Sequence, residues 1–303
     1  MKKLLTLLLA LCSLSSFGQQ LIDSEKREIV FTSVNVVPMD SERIIENQMV
    51  IVNNGKVTAI GKKLKYGKDA LVIDARGKYL IPGLAEMHAH VPPNDNLESH
   101  KEVLFLFAAN GITTIRGMLG HPSHLTLRSK INTDEVFGPR FYTTGPSFNG
   151  LSVKTAQRGA EMVREQKAAG YDYLKLHPGL TKETFASISK TANEVGIPFV
   201  GHVSFGVGVW RAIDAGYSSI DHMDGFVEAM VPGIESMVEQ QTGLFGMFVA
   251  DQADESVIPK LMNELKEKNI WVVPTQSLAD RWFASTFTGD EFLKELESKY
   301  MNK

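Results

Sequence analysis

Residues 170–204 of the chain read GYDYLKLHPGLTKETFASISKTANEVGIPFVGHVS, and this stretch decides the fold. Its segments 171–177 and 198–204 are short and apolar, which is typical of buried strands. Residues 182–195 between them have a helical pattern, and Gly196 follows where a glycine commonly ends a helix. A strand, a helix and a second strand at this spacing form a parallel βα unit. We therefore predict a parallel α/β fold.

The same alternation extends through residues 81–303, which we predict to be one barrel domain. The predicted strands are 81–90, 111–117, 140–145, 171–177, 198–204, 218–223 and 270–276, and the predicted helices include 97–110, 154–169, 182–195, 207–215 and 255–268. Seven strands favour a TIM-type (β/α)8 barrel over an open, doubly wound sheet. The absence of a glycine-rich phosphate-binding turn after the first strand also argues against the doubly wound alternative.

Residues 19–80 have a different pattern, with short β-rich segments and turns between 28 and 75. Asn54-Gly55 separates two such segments and is a strong signal for a two-residue hairpin. We predict a small antiparallel β layer that forms a separate N-terminal subdomain.

The first 18 residues have the layout of a secretory signal peptide. Lys2 and Lys3 precede an apolar run at 4–11, and Ser16 and Gly18 are small residues suited to cleavage near Gly18. The prediction is export to the periplasm or the extracellular space. A lipoprotein acylated at Cys12 is the alternative. No apolar run is long enough to span a bilayer, so we predict no transmembrane segment.

Composition limits the possible functions. The 303 residues are 43% hydrophobic and 22% charged, which is ordinary for a globular protein, and the net charge of −3 gives no electrostatic case for nucleic acid. Cys12 is the single cysteine, so neither a disulfide framework nor a thiolate metal site is possible. A transition metal would have to be held by histidine or oxygen ligands. The oligomeric state is not encoded in any recognisable feature.

Candidate metal ligands stand at the ends of four predicted strands. His88 and His90 end the first strand and share a face, because strand side chains alternate. Lys175, His202 and His222 lie at the ends of the fourth, fifth and sixth strands. Strand ends of a barrel converge at its active-site mouth. Together, the five residues predict a site for two divalent metal ions.

Lys175 lies inside a predicted parallel strand, where an unpaired ammonium group is very costly. Burial lowers the pKa of a lysine, and a neutral amine beside metal ions captures carbon dioxide as a carbamate that bridges them. The alternative is that Lys175 pairs with an acid such as Glu86. The residues alone leave both interpretations open.

Other polar residues near the predicted mouth are candidates for other roles. His177 shares the face of Lys175 and is a candidate for contacting substrate or a metal-bound water. Arg116 ends the second strand, where it either binds a substrate carboxylate or forms a structural salt bridge. The remaining histidines lie in helix or loop stretches, and we expect them at the surface. They are His100, His121 and His124.

These motifs, together with residues 72–84 (VIDARGKYLIPGL), resemble the metal-dependent amidohydrolase superfamily, particularly its imidazolonepropionase-like and prolidase-like branch. The resemblance implies a (β/α)8 barrel with a small β-sandwich, and a binuclear zinc-type site bridged by carboxylated Lys175 and hydroxide. It implies a hydrolase of C–N bonds. Lys175 and the signal peptide favour the prolidase-like members, which cleave dipeptides or N-acyl amino acids, over imidazolonepropionase, which lacks the bridging lysine. Such ligands also accept manganese, iron or cobalt.

The resemblance also implies a catalytic aspartate at the end of strand eight. After Gln276 the sequence contains Asp280 and one helical stretch, 290–301, so we expect a C-terminally truncated barrel without that aspartate. Asp224 shares the face of His222 but lies on the wrong strand to replace it. An inactive fragment or a non-catalytic metal-binding protein is therefore an alternative. Hydrolysis of a cyclic amide, a lactone or a phosphoester is a further one.

Overall fold

The computed structural model describes residues 27–282, 288–292 and 294, so the predicted signal peptide lies outside the described residues. The chain divides between Pro82 and Gly83 into two compact units. In the described part of the chain, no helix is both long and apolar enough to cross a membrane.

The first unit contains one five-stranded sheet. Its strands are β1 (Ile29–Val36), β2 (Ile45–Asn53), β3 (Lys56–Gly61), β4 (Leu71–Asp74) and β5 (Tyr79–Leu80). Asn54 and Gly55 adopt positive φ angles of 50° and 70°, as a two-residue hairpin requires, and β1, β2 and β3 are antiparallel. The predicted antiparallel layer is wrong for β4, which pairs with β1 in parallel. Strand β5 lies beyond the predicted segments and also pairs with β1 in parallel. The predicted sandwich is not confirmed, because these strands form a single sheet.

The second unit contains seven short parallel strands. They are β6 (Leu84–Ala89), β7 (Ile112–Gly117), β8 (Arg140–Thr143), β9 (Leu174–Leu176), β10 (Phe199–Gly201), β11 (Ser219–Asp221) and β12 (Trp271–Val273). They form two sheets, β6-β7-β8 and β9-β10-β11-β12. Isolated bridges from Thr144 to Tyr173 and from Phe148 to Leu176 connect them. All seven predicted strands are present in chain order. Barrel closure is not confirmed, since among the described residues β12 and β6 do not pair and no strand follows Val273.

Helices alternate with these strands. They are α1 (Leu97–Ala109), α2 (Ser123–Asn132), α3 (Ala156–Ala169), α4 (Lys182–Val195), α5 (Val209–Ala215), α6 (Phe226–Met230), α7 (Glu239–Thr242), α8 (Ile258–Glu267), α9 (Gln276–Trp282) and α10 (Gly289–Phe292). The five predicted helices are confirmed, and Gly170, Gly196 and Gly216 end three of them in the left-handed conformation. Helix α2 was not predicted, because Leu127 and Ile131 are its only buried apolar residues.

The core of the second unit lies between its strands and helices. Leu174 and Leu176 of β9 pack in the same cluster as Phe185 and Ile188 of α4. Because side chains alternate along a strand, Lys175 lies on the opposite face of β9 from these leucines. Its side chain is fully buried. The helices therefore cover the apolar face of the strands, and the chemically reactive residues lie on the other face.

Candidate metal centre

The five predicted ligands come together at the carboxyl ends of the strands. The ring centroids of His88 and His90 are 5.2 Å apart, those of His88 and His222 are 4.4 Å apart, and those of His202 and His222 are 4.5 Å apart. Lys175 Nζ lies 3.3 Å from Asp221 Oδ2, the same oxygen that His88 Nδ1 contacts at 2.8 Å. We call His88, His90, Lys175, His202 and His222 the mouth cluster.

The local backbone explains how the strands present these residues. Gly201 directly precedes His202 and has a φ of +120°; a Cβ there would lie 2.4 Å from Leu176 O and 2.8 Å from Lys175 Cδ. Only glycine lets β10 pass this close to the lysine. His222 itself has a positive φ of 60°, which is uncommon for a residue with a side chain. Such strain is often found at functional sites.

Asp221 connects several members of the mouth cluster, and the sequence analysis did not assign it a role. It is 0% exposed and also lies near Arg116 (3.8 Å) and Ser219 Oγ (3.3 Å). Burial alone would raise its pKa, but the hydrogen bond with His88 and the charges of Lys175 and Arg116 lower the pKa to about 2. Asp221 is therefore an ionised carboxylate among cations and donors.

Lys175 does pair with an acid, but Glu86 is the wrong one. Glu86 Oε1 accepts a hydrogen bond from the backbone N–H of His88 at 2.7 Å. The partner of Lys175 is Asp221, and burial lowers the pKa of Lys175 against the opposing effect of that carboxylate. The sequence contains a signal for the role of Asp221. It follows the apolar Ile220 on a predicted buried strand, and a charged side chain in such a strand requires a partner. The same argument applies to Lys175.

Three imidazoles of the mouth cluster, those of His90, His202 and His222, favour the neutral form. Burial, followed by nearby positive charge, lowers the pKa of both His202 and His222 to about 3. Partial desolvation, followed by the charges of His88 and Lys175, also lowers the pKa of His90, whose surface is exposed. A neutral imidazole carries one N–H and one lone pair.

Three rings of the mouth cluster use Nδ1 for hydrogen bonds to oxygen atoms. His88 Nδ1 contacts Asp221 Oδ2 at 2.8 Å, His202 Nδ1 contacts Asp224 Oδ2 at 2.6 Å, and His222 Nδ1 contacts Thr275 Oγ1 at 2.7 Å.

Asp221, as an ionised carboxylate, accepts the bond from His88, and Asp224 accepts the bond from His202 in its ionised form. The Thr275 hydroxyl already donates to Pro274 O, so it too accepts. Nδ1 therefore carries the hydrogen, and Nε2 of each neutral ring carries the lone pair. Asp224, placed on the wrong strand for a barrel-end aspartate, instead orients His202, and burial raises the pKa of Asp224 to about 7.

The two predicted substrate-binding residues have different environments. His177 stacks on His202 with ring centroids 5.0 Å apart and lines an open cavity of about 580 Å³. Its buried Nδ1 has no hydrogen-bond partner, and burial lowers its pKa to about 3.

Arg116, in contrast, is buried and donates to Met87 O at 2.9 Å and to Ser219 Oγ at 2.7 Å. These contacts, with Asp221 nearby, support the salt-bridge alternative for Arg116. Substrate binding by either residue stays a prediction.

The expectation that the remaining histidines lie at the surface is wrong for two of them. His100 is 2% exposed and His124 is 0% exposed, while His121 is partly buried. Helix geometry explains the difference. His100 lies four residues before buried Leu104, and His124 lies three residues before buried Leu127, so each histidine is on the buried face of its helix. We call these three residues the helix cluster.

The mouth cluster is not a finished ligand set in this structure. Within residues 27–282, 288–292 and 294, no group of three or more His, Cys, Asp or Glu side chains is already arranged to hold a metal ion. The donor chemistry nevertheless fits one. Metal-binding histidines nearly always donate their second ring N–H to a carboxylate or another oxygen acceptor, and His88, His202 and His222 each do so.

Comparisons with known proteins identify the wider group. No family model matches the chain. It is 47% identical over 51 residues to a dihydroorotase from Trichlorobacter lovleyi, which covers 17% of this chain and 12% of that protein. It is 33% identical over 172 residues to an enamidase from Eubacterium barkeri, which covers 54% of this chain and 38% of that protein.

The fold is similar to that of a solved Xaa-Pro dipeptidase with methionine bound in its active site. The TM-score is 0.61 at 18% identity, covering 84% of this chain and 68% of that one. The chain resembles the metal-dependent amidohydrolase superfamily, which its curated relatives and this structural neighbour support. It spans well under half the length of the two curated relatives it matches.

Proposed function

We propose that the chain carries the metal centre of an exported hydrolase that cleaves C–N bonds in dipeptides or N-acyl amino acids. The observation that carries the proposal is the hydrogen bonding of His88, His202 and His222. Each ring uses Nδ1 for a hydrogen bond to an oxygen atom, which leaves Nε2 for a metal ion, beside the buried amine of Lys175. Export is supported by the basic, apolar and small-residue pattern of residues 1–18.

The mouth cluster would hold two divalent ions, zinc in our proposal, with Lys175 as a carbamate. The carbamate forms when neutral Lys175 Nζ bonds to the carbon of carbon dioxide and loses a proton. When bound, the ions polarise a substrate carbonyl and lower the pKa of water, which is the chemistry that amide hydrolysis needs. Asp221, Asp224 and Thr275 keep the imidazoles in the required tautomer and orientation.

His177 is the proposed substrate contact. Its ring lies against His202 and also lines the cavity that contains Leu119, Asn149 and Leu151. A small substrate in this cavity would be within reach of the mouth cluster.

Metal content and hydrolysis test the proposal together. The 303-residue chain, purified with zinc and bicarbonate, should retain about two ions per chain. His88→Ala and Lys175→Ala should lose metal, whereas His121→Gln, outside the mouth cluster, should retain it. The loaded protein is then assayed on Xaa-Pro dipeptides, N-acetyl amino acids and cyclic amides.

The outcomes separate the alternatives. Hydrolysis of dipeptides or N-acetyl amino acids that depends on the mouth cluster supports the proposal. Two retained ions without hydrolysis of any substrate would favour a non-catalytic metal-binding protein. Unchanged metal content in His88→Ala and Lys175→Ala would contradict the site itself.

A further inference from the structure

Two buried histidines of the helix cluster donate to one backbone carbonyl. His100 Nε2 lies 2.9 Å from Pro92 O, and His124 Nε2 lies 3.0 Å from the same oxygen, which also accepts the backbone N–H of Asn94 at 2.9 Å. A carbonyl oxygen only accepts, so both rings carry hydrogen on Nε2. One donor comes from α1 and the other from α2, and Pro92 follows His90 by two residues.

The segment between His90 and Pro92 has little freedom of its own. Residues before proline are restricted to extended conformations, and this applies to both Val91 and Pro92, since Pro93 follows. Val91 is fully buried among apolar residues. The N–H of Met118 donates to Ala89 O at 2.8 Å on the other side of His90. Once the Pro92 carbonyl is fixed, His90 is held from both sides.

Burying His124 has an unfavourable free energy that an apolar residue at this position would not have. Its Nδ1 is buried without a hydrogen-bond partner, and burial lowers the pKa of the ring. Leaving a buried polar atom unpaired is unfavourable, and a leucine on the same helix face would pack without that penalty. The Nε2–H donated to Pro92 O is the one hydrogen bond that the imidazole provides here.

We propose that His100 and His124 are positioning residues for His90. By holding the Pro92 carbonyl from two helices, they set the backbone that follows the His88-x-His90 pair and thereby the direction of the His90 ring. The metal-binding part of this inference rests on the proposed function. The positioning itself concerns the protein alone and is tested without metal.

The first test is NMR of the metal-free protein with 13C-labelled histidine. His124→Leu removes one donor, His124→Gln keeps an N–H donor of similar reach, and His121→Gln changes a helix-cluster residue that does not contact Pro92. We expect His124→Leu to shift and broaden the His90 ring signal while the His202 and His222 signals stay in place. His124→Gln should return the His90 signal toward the wild type, and His121→Gln should leave it unchanged.

The second test is titration of the same variants with cobalt(II). His124→Leu should lower the affinity about tenfold and alter the visible spectrum, as loss of a residue that orients a ligand does. His124→Gln should recover most of the affinity. If His124→Leu is too unstable, the same comparison is made with His100→Leu and His100→Gln.

The outcomes are distinct. A folded His124→Leu protein with an unchanged His90 signal overturns the inference, whatever its metal affinity. A wild-type protein that binds no cobalt contradicts the proposed function, and the NMR comparison still decides the positioning role.

Discussion

The second unit contains two groups of histidines that differ in what their nitrogen atoms contact. In the mouth cluster, His202 and His222 use Nδ1 on side-chain oxygen atoms, which leaves Nε2 with its lone pair. In the helix cluster, His100 and His124 use Nε2 on the backbone carbonyl of Pro92. His100 and His124 are more deeply buried than the rings of the mouth cluster, at 2% and 0% exposure.

The comparison shows that burial and a lowered pKa do not by themselves identify a functional histidine. Burial lowers the pKa of His124 just as it lowers those of His202 and His222. What distinguishes the groups is the surroundings. The mouth cluster includes Lys175, whose buried Nζ lies 3.3 Å from Asp221 Oδ2. In the helix cluster, His100 and His124 join two helices to a proline-rich segment.

The largest effect that would separate the clusters is loss of metal. We expect His222→Ala to lose at least one of about two bound ions and to abolish hydrolysis, because it removes a ring with an oriented lone pair. His121→Gln should keep both metal and activity. Elemental analysis and a dipeptide assay measure the difference. Equal metal loss in both variants would show that the two clusters do not differ in metal binding.

The next effect concerns the buried ion pair. Lys175→Met leaves Asp221 without its lysine partner, and we expect the free energy of unfolding to fall by about 3 kcal/mol, as when one member of a buried pair is removed. Adding Asp221→Asn should recover part of the loss, since the neutral amide no longer needs a cation. Urea unfolding of the metal-free variants provides the measurement. Equal stability of Lys175→Met and the wild type would show that the pair is not formed.

Acid should destabilise the metal-free protein, because three partly buried histidines at the candidate site have lowered pKa values. The pKa values of His177, His202 and His222 are lowered to about 3, so between pH 6.5 and 3 the unfolded chain binds protons that the folded rings do not. Stability should therefore fall as the pH falls through this range.

The pKa of Asp224 is raised to about 7, so this residue alone would increase the stability of the protein as the pH falls. The opposing effect of three histidines is larger. Urea unfolding at several pH values measures the slope. His222→Gln should make it shallower, and a stability that rises on acidification would contradict these pKa directions.

The smallest effect is expected in the helix cluster. His124→Leu removes one of three donors to Pro92 O, the others being His100 and the backbone N–H of Asn94. One hydrogen bond is typically worth about 1 kcal/mol, and relief of the unpaired Nδ1 offsets part of it, so we expect a loss below about 1 kcal/mol in the free energy of unfolding. His124→Gln should lose less. Chemical unfolding monitored by circular dichroism provides the test, and a gain in stability for His124→Leu would show that the Pro92 contact contributes little to folding.

Much of the second unit could be predicted from local sequence. Seven apolar strand segments and the glycines that end helices recur at the spacing of βα units, and such patterns depend on neighbouring residues alone. Helix α2 was missed because its buried face combines His124 with Leu127 and Ile131, and a histidine does not contribute to an apolar pattern. The direction of β4 was also missed, since pairing with β1 depends on residues far apart in sequence.

For the candidate site, the identities of the ligands came from sequence and their partners from the structure. His88, His90, Lys175, His202 and His222 stand at strand ends, so parallel strands alone predict that they converge. Asp221 as the partner of Lys175 and His88, and Asp224 as the partner of His202, required the packed strands. Alternation along each strand predicts which face a residue occupies, but only tertiary packing decides which buried charge meets which donor.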